Sequence, residues 1–172
     1  MDPICATHGA YVAIVNGEDQ MVIGGTSEAL AAVIHDAQGH GVERTTMLPV
    51  AIPAHTPLLA AASDQFRQAL AKANLPAAVP ADIRLLSGID GAAVFEVRAG
   101  ADKLARQIRQ TVDWAACMQS CRAAGVTKAV EFGPGNALAR LLHEFMPDGN
   151  VHSLSEFRSL PGFEHWVQRS SA

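Results

Sequence analysis

Residues 47–61 constrain the fold most, because an apolar run meets a histidine there just before a predicted helix. Pro53 ends the extended run, and Pro57 suits the first turn of a helix, where a missing backbone N–H costs nothing. Thr56 is the predicted N-cap, and His55 lies beside it in the loop. A histidine at a strand-to-helix junction can reach an open sheet edge and act as a general base. The alternative is a histidine that only packs or caps at this junction.

Composition narrows the class of protein. The 172 residues are 49% hydrophobic, which is sufficient for one substantial core. Only 17% of the residues are charged and the formal net charge is -4, so the chain has no basic footprint for nucleic acid or for an anionic membrane. Aromatic residues make up only 5%, and alanine and leucine are frequent, which favours a helix-rich α/β fold over a β-sandwich.

The three cysteines indicate a reducing compartment. Their number is odd, they form no metal-ligand pattern, and the sequence shows no secretory leader or long apolar span. We therefore expect a cytoplasmic protein without a metal site. Cys117 and Cys121 are four residues apart in a predicted helix, a spacing that fits either a metal or redox pair or two small core residues.

The first part of the chain predicts a small β-β-α-β lobe. Residues 11–15 and 20–23 alternate as two strands around the turn at 16–19, and a helix capped by Thr26 follows over residues 26–38. Residues 42–52 read as a further extended segment. This order is that of a ferredoxin-like lobe.

The remainder alternates between strands and helices, as in a parallel sheet covered by helices. A glycine-rich turn at residues 133–136 precedes one of these helices; it allows a phosphate-binding interpretation, although a tight strand-to-helix connection also explains it. The predicted strands are 83–86, 94–97, 128–132 and 151–154, and the predicted helices run from after residue 55 to 74 and over 101–110, 113–124, 137–145 and 156–168.

Four short motifs occur in a specific order along nearly the whole chain. They are N-x-x-x-Q-x-V-I-x-G with Asn16 and Gln20, P-A-H-T-P-L-L around His55, R-Q-I-x-x-T-V-D-W with Gln107, and E-F-G-P-G-N-A-L at residues 131–138. In this order they resemble the C-terminal part of the malonyl-CoA:acyl carrier protein transacylase family. They are also similar to the malonyl transferase subunit of malonate decarboxylase.

This resemblance implies an α/β-hydrolase-like acyltransferase domain with an inserted ferredoxin-like lobe. In this chain the lobe corresponds to residues 10–52 and the rest of the domain to residues 53–172, with residues 1–9 as the incoming segment. The implied activity is that of an acyl carrier protein S-malonyltransferase in fatty acid or polyketide synthesis. A coenzyme A thioester is its substrate, an acyl carrier protein its partner, and no cofactor is permanently bound.

The resemblance also implies roles for individual residues. His55 corresponds to the histidine that activates a serine nucleophile, and Gln107 to the residue whose backbone carbonyl orients that histidine. Such a carbonyl fixes one imidazole tautomer without the charge of a triad aspartate. Asn16 and Gln20 belong to the motif at the substrate cleft, while a turn-stabilising role is equally open for Asn16.

The sequence lacks several features of the family. It contains no G-x-S-x-G nucleophile elbow, no glutamine-glycine segment for an oxyanion hole and no counterpart of the arginine that holds the malonyl carboxylate. We therefore expect the chain to be one part of such an enzyme, inactive alone, which binds a missing N-terminal half or associates with itself. The alternative is a non-catalytic module that binds a carrier protein or a partner chain.

Overall fold

A computed structural model describes residues 2–169 of the chain. The contacts divide it into two compact units, Met1–Cys117 and Met118–Ala172. The resemblance implies a boundary after residue 52, which does not coincide with this division. Residues 14 and 15 of the first hairpin strand pair with residues 112 and 113, so that both segments belong to one unit. That residues 10–52 form a separate domain therefore stays a prediction.

The first unit contains a three-stranded sheet in the order β2-β1-β5. Strands β1 (Tyr11–Val15) and β2 (Met21–Gly24) form the predicted antiparallel hairpin. On its other edge β1 pairs in parallel with β5 (Val112–Asp113), where Ile14 lies opposite Val112. Strand β5 is missing from the sequence prediction because it has only two residues, next to a predicted helix.

Two helices cover this sheet region. Helix α1 (Asp2–His8) was not predicted, whereas helix α2 (Ser27–Gly39) begins at the predicted cap, where the Thr26 hydroxyl accepts the Ala29 N–H at 3.2 Å. The two helices pack around a small apolar core that includes Cys5 and Val33. Burial of one face of α2 against α1 and the hairpin explains its helical apolar spacing.

The extended segment predicted at residues 42–52 forms no strand, which corrects that part of the β-β-α-β interpretation. Both edges of β1 are already occupied, and Pro49 cannot donate a ladder hydrogen bond. The apolar side chains of this segment are instead exposed, with Val50 at 67% and Ile52 at 64%. The α/β class itself is confirmed.

The rest of the first unit is a helix pair with a short hairpin. A 3-10 turn (Pro57–Leu59) leads into α3 (Ala60–Lys72), and α4 (Val97–Gln107) packs on it. Between them lie β3 (Leu85–Leu86) and β4 (Ala93–Val94), both shorter than predicted. Strand β4 cannot reach residue 97 because α4 already begins there. The helices are joined by the fully buried Ser63 hydroxyl, which donates to the Ala105 carbonyl at 2.7 Å.

Helix α5 (Trp114–Ala123) contains the point at which the contacts divide the chain. The second unit then forms the predicted parallel strand-helix-strand arrangement. Strand β6 (Lys128–Glu131), helix α6 (Ala137–Phe145) and strand β7 (Asn150–Ser153) follow in order, and β6 pairs in parallel with β7. A 3-10 turn (Leu154–Glu156) precedes α7 (Leu160–Gln168), so the last predicted helix starts later than expected. None of the helices within residues 2–169 has both the length and the apolar character needed to cross a bilayer.

Candidate active site

His55 stands in the loop before the 3-10 turn with a left-handed backbone. Its φ is 62°, and no other non-glycine residue among residues 2–169 has a positive φ. A side chain in this region costs about 1–2 kcal/mol, because Cβ approaches the backbone too closely. Such strain persists only where neighbouring contacts enforce it, and strained residues concentrate at functional sites.

Two hydrogen bonds to the end of helix α4 enforce this conformation. The backbone N–H of His55 donates to the Ile108 carbonyl at 3.0 Å, and Nδ1 lies 2.6 Å from the Gln107 carbonyl oxygen. The last carbonyls of a helix lack partners within the helix and are open to such donors. The side-chain contact implied by the family resemblance is therefore present in the structure.

The bond to Gln107 determines the tautomer of the half-buried imidazole. A carbonyl oxygen only accepts, so Nδ1 carries the hydrogen and Nε2 of the neutral ring keeps its lone pair. This is the state in which an imidazole accepts a proton. The site can therefore supply a general base.

A turn formed by residues 87–91 supports Gln107 from its other side. A Cβ at Gly88 would lie 2.7 Å from the Gln107 side-chain oxygen, so the glutamine side chain packs directly on this glycine. The Gly88 carbonyl accepts the Asp113 N–H at 2.8 Å, which ties the turn to β5. In the same turn, the hydrogen bond from Lys103 at 2.7 Å lowers the pKa of the Asp90 carboxyl below its ordinary value.

Thr56 holds the histidine loop on the opposite side. Its side chain does not form the N-cap hydrogen bond that the sequence predicts. It precedes the 3-10 turn, as predicted for an N-cap, but its hydroxyl donates to the Pro53 carbonyl at 2.7 Å and makes no capping hydrogen bond. The side chain is fully buried, and a Cβ at Gly24 would lie 2.6 Å from its methyl carbon. The loop is thereby packed against the end of β2.

His55 borders a cleft of about 600 Å³ within the first unit. Its lining includes the polar side chains of Tyr11, His55, Arg109, Gln110 and Thr111, together with the buried Cys5. Serine is absent from the lining residues of this cleft in the described part of the chain. A second cavity of about 730 Å³ is lined by residues 46–55 and so also reaches His55; residues 46–52 of this segment are exposed.

Asn16 and Gln20 are not brought to His55. They close the hairpin turn, where the Asn16 N–H donates to the Gln20 carbonyl at 2.9 Å. Gln20 precedes β2, and four residues at a rise of about 3.3 Å place it about 13 Å along the strand from Gly24, which contacts Thr56. Neither residue lines a cleft that contains His55. This geometry favours the turn-stabilising interpretation of Asn16, and the substrate-binding role of both residues stays a prediction.

The alternatives for the cysteines and the glycine-rich turn have structural explanations. Cys117 is buried with its thiol 3.4 Å from the Ser87 carbonyl, and no group of three or more His, Cys, Asp or Glu side chains suited to a metal ion occurs within residues 2–169. At the start of α6 the Glu131 carboxylate accepts the Ala139 N–H at 2.8 Å. The helix terminus that could attract a phosphate thus already contacts a carboxylate of the chain.

Arg109 is the cleft residue that the sequence analysis missed. The R-Q-I-x-x-T-V-D-W motif places it two residues after Gln107, at one of the positions written as x. Its position next to the histidine partner was the available signal, but an isolated arginine is usually solvated.

Comparison with known proteins finds relatives over most of the chain. No family model matches the sequence. The chain is 28% identical over 141 residues to the malonyl CoA-acyl carrier protein transacylase of Salmonella typhimurium, a match that covers 82% of this chain and 45% of that protein. It is 31% identical over 147 residues to the mycoketide-CoA synthase of Mycobacterium tuberculosis, covering 86% of this chain and 3% of the synthase.

A solved structure gives the same relationship. The acyl-carrier-protein S-malonyltransferase of Burkholderia pseudomallei matches with a TM-score of 0.82 and 30% identity, over 96% of this chain and 53% of that one. The chain therefore spans about half the length of the transacylases that it matches.

Proposed function

We propose that this chain, which is related in sequence and fold to the malonyl-CoA:acyl carrier protein transacylases, supplies the general-base part of an acyl carrier protein S-malonyltransferase. The observation that carries the proposal is the 2.6 Å contact between His55 Nδ1 and the Gln107 carbonyl. It leaves Nε2 as the proton acceptor beside an open cleft.

In this proposal the nucleophile is a serine outside the 172 residues, since the sequence has no G-x-S-x-G elbow. His55 Nε2 takes the proton of that hydroxyl while the serine oxygen attacks the thioester carbonyl of malonyl-CoA. The coenzyme A thiolate leaves and receives the proton from the imidazolium. The thiol of the carrier protein then reverses these steps, with His55 again accepting and returning one proton.

The substrates and partners follow from the same proposal. The substrate is a coenzyme A thioester, the acceptor is an acyl carrier protein, and no bound cofactor is required because serine and histidine complete the exchange. The serine-bearing half, or a second copy of the chain, would cover exposed apolar side chains such as Val50 and Ile52. We place the activity in the cytoplasm, where cysteines that form no disulfide, as in this chain, stay reduced.

Complementation tests this proposal. The chain is combined with a separate polypeptide that carries the family's G-H-S-x-G elbow, and transfer from radioactive malonyl-CoA to holo acyl carrier protein is measured. We expect no acyl-serine on the chain alone and restored transfer with the added segment. His55→Asn keeps a side-chain donor for the Gln107 carbonyl and tolerates a left-handed backbone, so it removes the base with little effect on the loop.

The His55→Asn variant should lower the transfer rate by about 10²- to 10⁴-fold, the usual contribution of a general base. His35→Asn is the matched control, because His35 is exposed on helix α2 and should leave the rate unchanged. Transfer by His55→Asn at the wild-type rate would contradict the proposed base. A wild-type chain that binds the carrier protein but supports no transfer would favour the non-catalytic binding module.

A further inference from the structure

Helix α4 ends in a tightened turn. The Ile108 N–H donates to the Ala105 carbonyl at 3.3 Å, and the Arg109 N–H donates to the Arg106 carbonyl at 3.0 Å. Both hydrogen bonds reach back three residues, as in a 3-10 helix, instead of the four residues of an α-helix. The α-helical donor to Ala105 would be the Arg109 N–H, which is used elsewhere. The carbonyl of the fully buried Ala105 is therefore left with a long backbone hydrogen bond.

Ser63 supplies a second donor to this carbonyl from the neighbouring helix α3. Its side chain is fully buried, and its hydroxyl donates to the Ala105 oxygen at 2.7 Å. A serine hydroxyl inside a helix commonly bonds to a carbonyl one turn earlier in its own helix, but here it bonds across to α4. Because a buried carbonyl without a good donor costs free energy, the hydroxyl makes the tightened end of α4 more favourable.

The two carbonyls that hold His55 belong to this tightened end. The backbone N–H of His55 donates to the Ile108 carbonyl at 3.0 Å, and its Nδ1 lies 2.6 Å from the Gln107 carbonyl oxygen. The bond from Ser63 to Ala105 holds the same end of α4 from the helix that follows the histidine loop. Unlike the other two contacts, it does not involve the histidine, so it holds the carbonyls in place even when the ring moves.

We propose that Ser63 is a positioning residue for His55, because its bond to Ala105 keeps the Gln107 carbonyl against Nδ1. Without the hydroxyl, the Arg109 N–H is drawn back to the Ala105 carbonyl, and the Gln107 carbonyl turns away from the ring. A neutral ring without this acceptor is free to carry its hydrogen on Nε2, which then cannot accept a proton. The role of His55 as a base rests on the proposed function, whereas its orientation by Ser63 rests on the contacts.

Two variants of Ser63 and two controls test the proposal in the full chain. Ser63→Ala removes the donor, and Ser63→Cys keeps a weak one, as the Cys117 thiol shows by contacting a carbonyl at 3.4 Å. Ser153→Ala removes another fully buried hydroxyl, which donates to the Gly135 carbonyl at 2.6 Å in the second unit. Thr26→Ala removes the capping hydroxyl of α2 in the first unit, a helix that contributes no residue to the cleft of about 600 Å³.

The first measurement is the tautomer of His55, read from the chemical shifts of its two ring nitrogens with the ring neutral. We expect Ser63→Ala to lower the ratio of the Nδ1–H to the Nε2–H tautomer about tenfold, the effect of losing one hydrogen bond. Ser63→Cys should lie between Ser63→Ala and the wild type, and both controls should keep the wild-type ratio. These expectations distinguish positioning from a general loss of stability, which Ser153→Ala and Thr26→Ala also cause.

The second measurement is malonyl transfer by the chain together with the serine-bearing polypeptide. Ser63→Ala should lower kcat about tenfold with little change in KM, because Ser63 lies outside both cavities and acts only through the base. The proposal is overturned if Ser63→Ala keeps the wild-type tautomer ratio, or if either control changes that ratio equally. Should Ser63→Ala not fold, the ratio in Ser63→Cys decides in the same way. A changed ratio with unchanged transfer would retain the positioning role and reject the proposed base.

Discussion

Residues 53–57 and residues 133–136 both lead into a helix, but different parts of the chain hold them. At the first junction the ring of His55 reaches a carbonyl 52 positions away along the chain. At the second, the Glu131 carboxylate accepts an N–H only 8 positions away, and the fully buried Ser153 hydroxyl donates to the Gly135 carbonyl 18 positions away. The second junction thus depends on contacts that are closer in sequence.

The two junctions also differ in whether a polar side-chain atom remains without a hydrogen-bond partner in the described chain. At the second junction the carboxylate and the buried hydroxyl are used to close the turn and the start of α6, as expected of a structural connection. At the first junction one ring nitrogen is used to orient the other, which faces no acceptor or donor in the described chain. A strained histidine held by remote groups, with one nitrogen free beside a cleft, is an arrangement suited to chemistry.

The largest effect that this comparison predicts comes from Gly91→Ala. A Cβ at Gly91 would lie 2.5 Å from the carbonyl carbon and oxygen of Ala116, and the glycine φ is 63°. Because backbone cannot move aside cheaply, we expect about 3 kcal/mol of destabilisation in the first unit. The turn that supports Gln107 would shift, so the Nδ1–H signal of His55 should weaken.

Gly125→Ala in the second unit is the matched control. Its φ of 73° is similar, but no atom lies within 4 Å of the added Cβ, so only backbone strain of about 1 kcal/mol is expected. Urea unfolding followed through amide signals of each unit measures both variants. Equal losses for the two would show that the Cβ at Gly91 is accommodated without a clash with Ala116.

The sequence predicted those parts of the fold whose signals are local. The hairpin at β1 and β2, the cap at Thr26 and the strand-helix-strand arrangement of the second unit follow from turn residues and apolar spacing within short segments. Residues 42–52 show the limit of this approach. Whether an apolar, extended segment becomes a strand depends on distant parts of the chain, and here β5 rather than residues 42–52 pairs with the second edge of β1.

The candidate site shows the same limit. The prolines around His55 indicate a junction, but neither its φ of 62° nor the approach of Gln107 can be deduced from local spacing. The family resemblance supplied Gln107. It could not supply Arg109, which belongs to the cleft because the segment between Ile108 and Thr111 is anchored at both ends.

Glu131→Ala should have an intermediate effect, confined to the second unit. It removes the acceptor of the Ala139 N–H in the first turn of α6, a loss of about 1–2 kcal/mol for a capping contact. Glu131→Gln keeps a side-chain oxygen and should lose about half as much. Amide exchange in α6 measures the change, and the ring signals of His55 should not move. A shift of those signals would mean that the two junctions are not independent.

The smallest predicted effect is a difference in stability between two substitutions that separate the backbone strain at His55 from the hydrogen bond of its ring. Both His55→Ala and His55→Gly remove the ring and the Nδ1 contact while keeping the backbone N–H that donates to Ile108. Only alanine retains a Cβ at a φ of 62°, so the glycine variant should be the more stable of the two by about 1 kcal/mol. The same pair of substitutions at His35, inside helix α2, should show the opposite order by about the same amount, since glycine is the poorer helix former. Thermal and urea unfolding of the four variants measures both differences. If alanine is the more stable residue at both positions, the left-handed backbone at residue 55 is not retained without the ring, and the contact with Gln107 alone creates the strain.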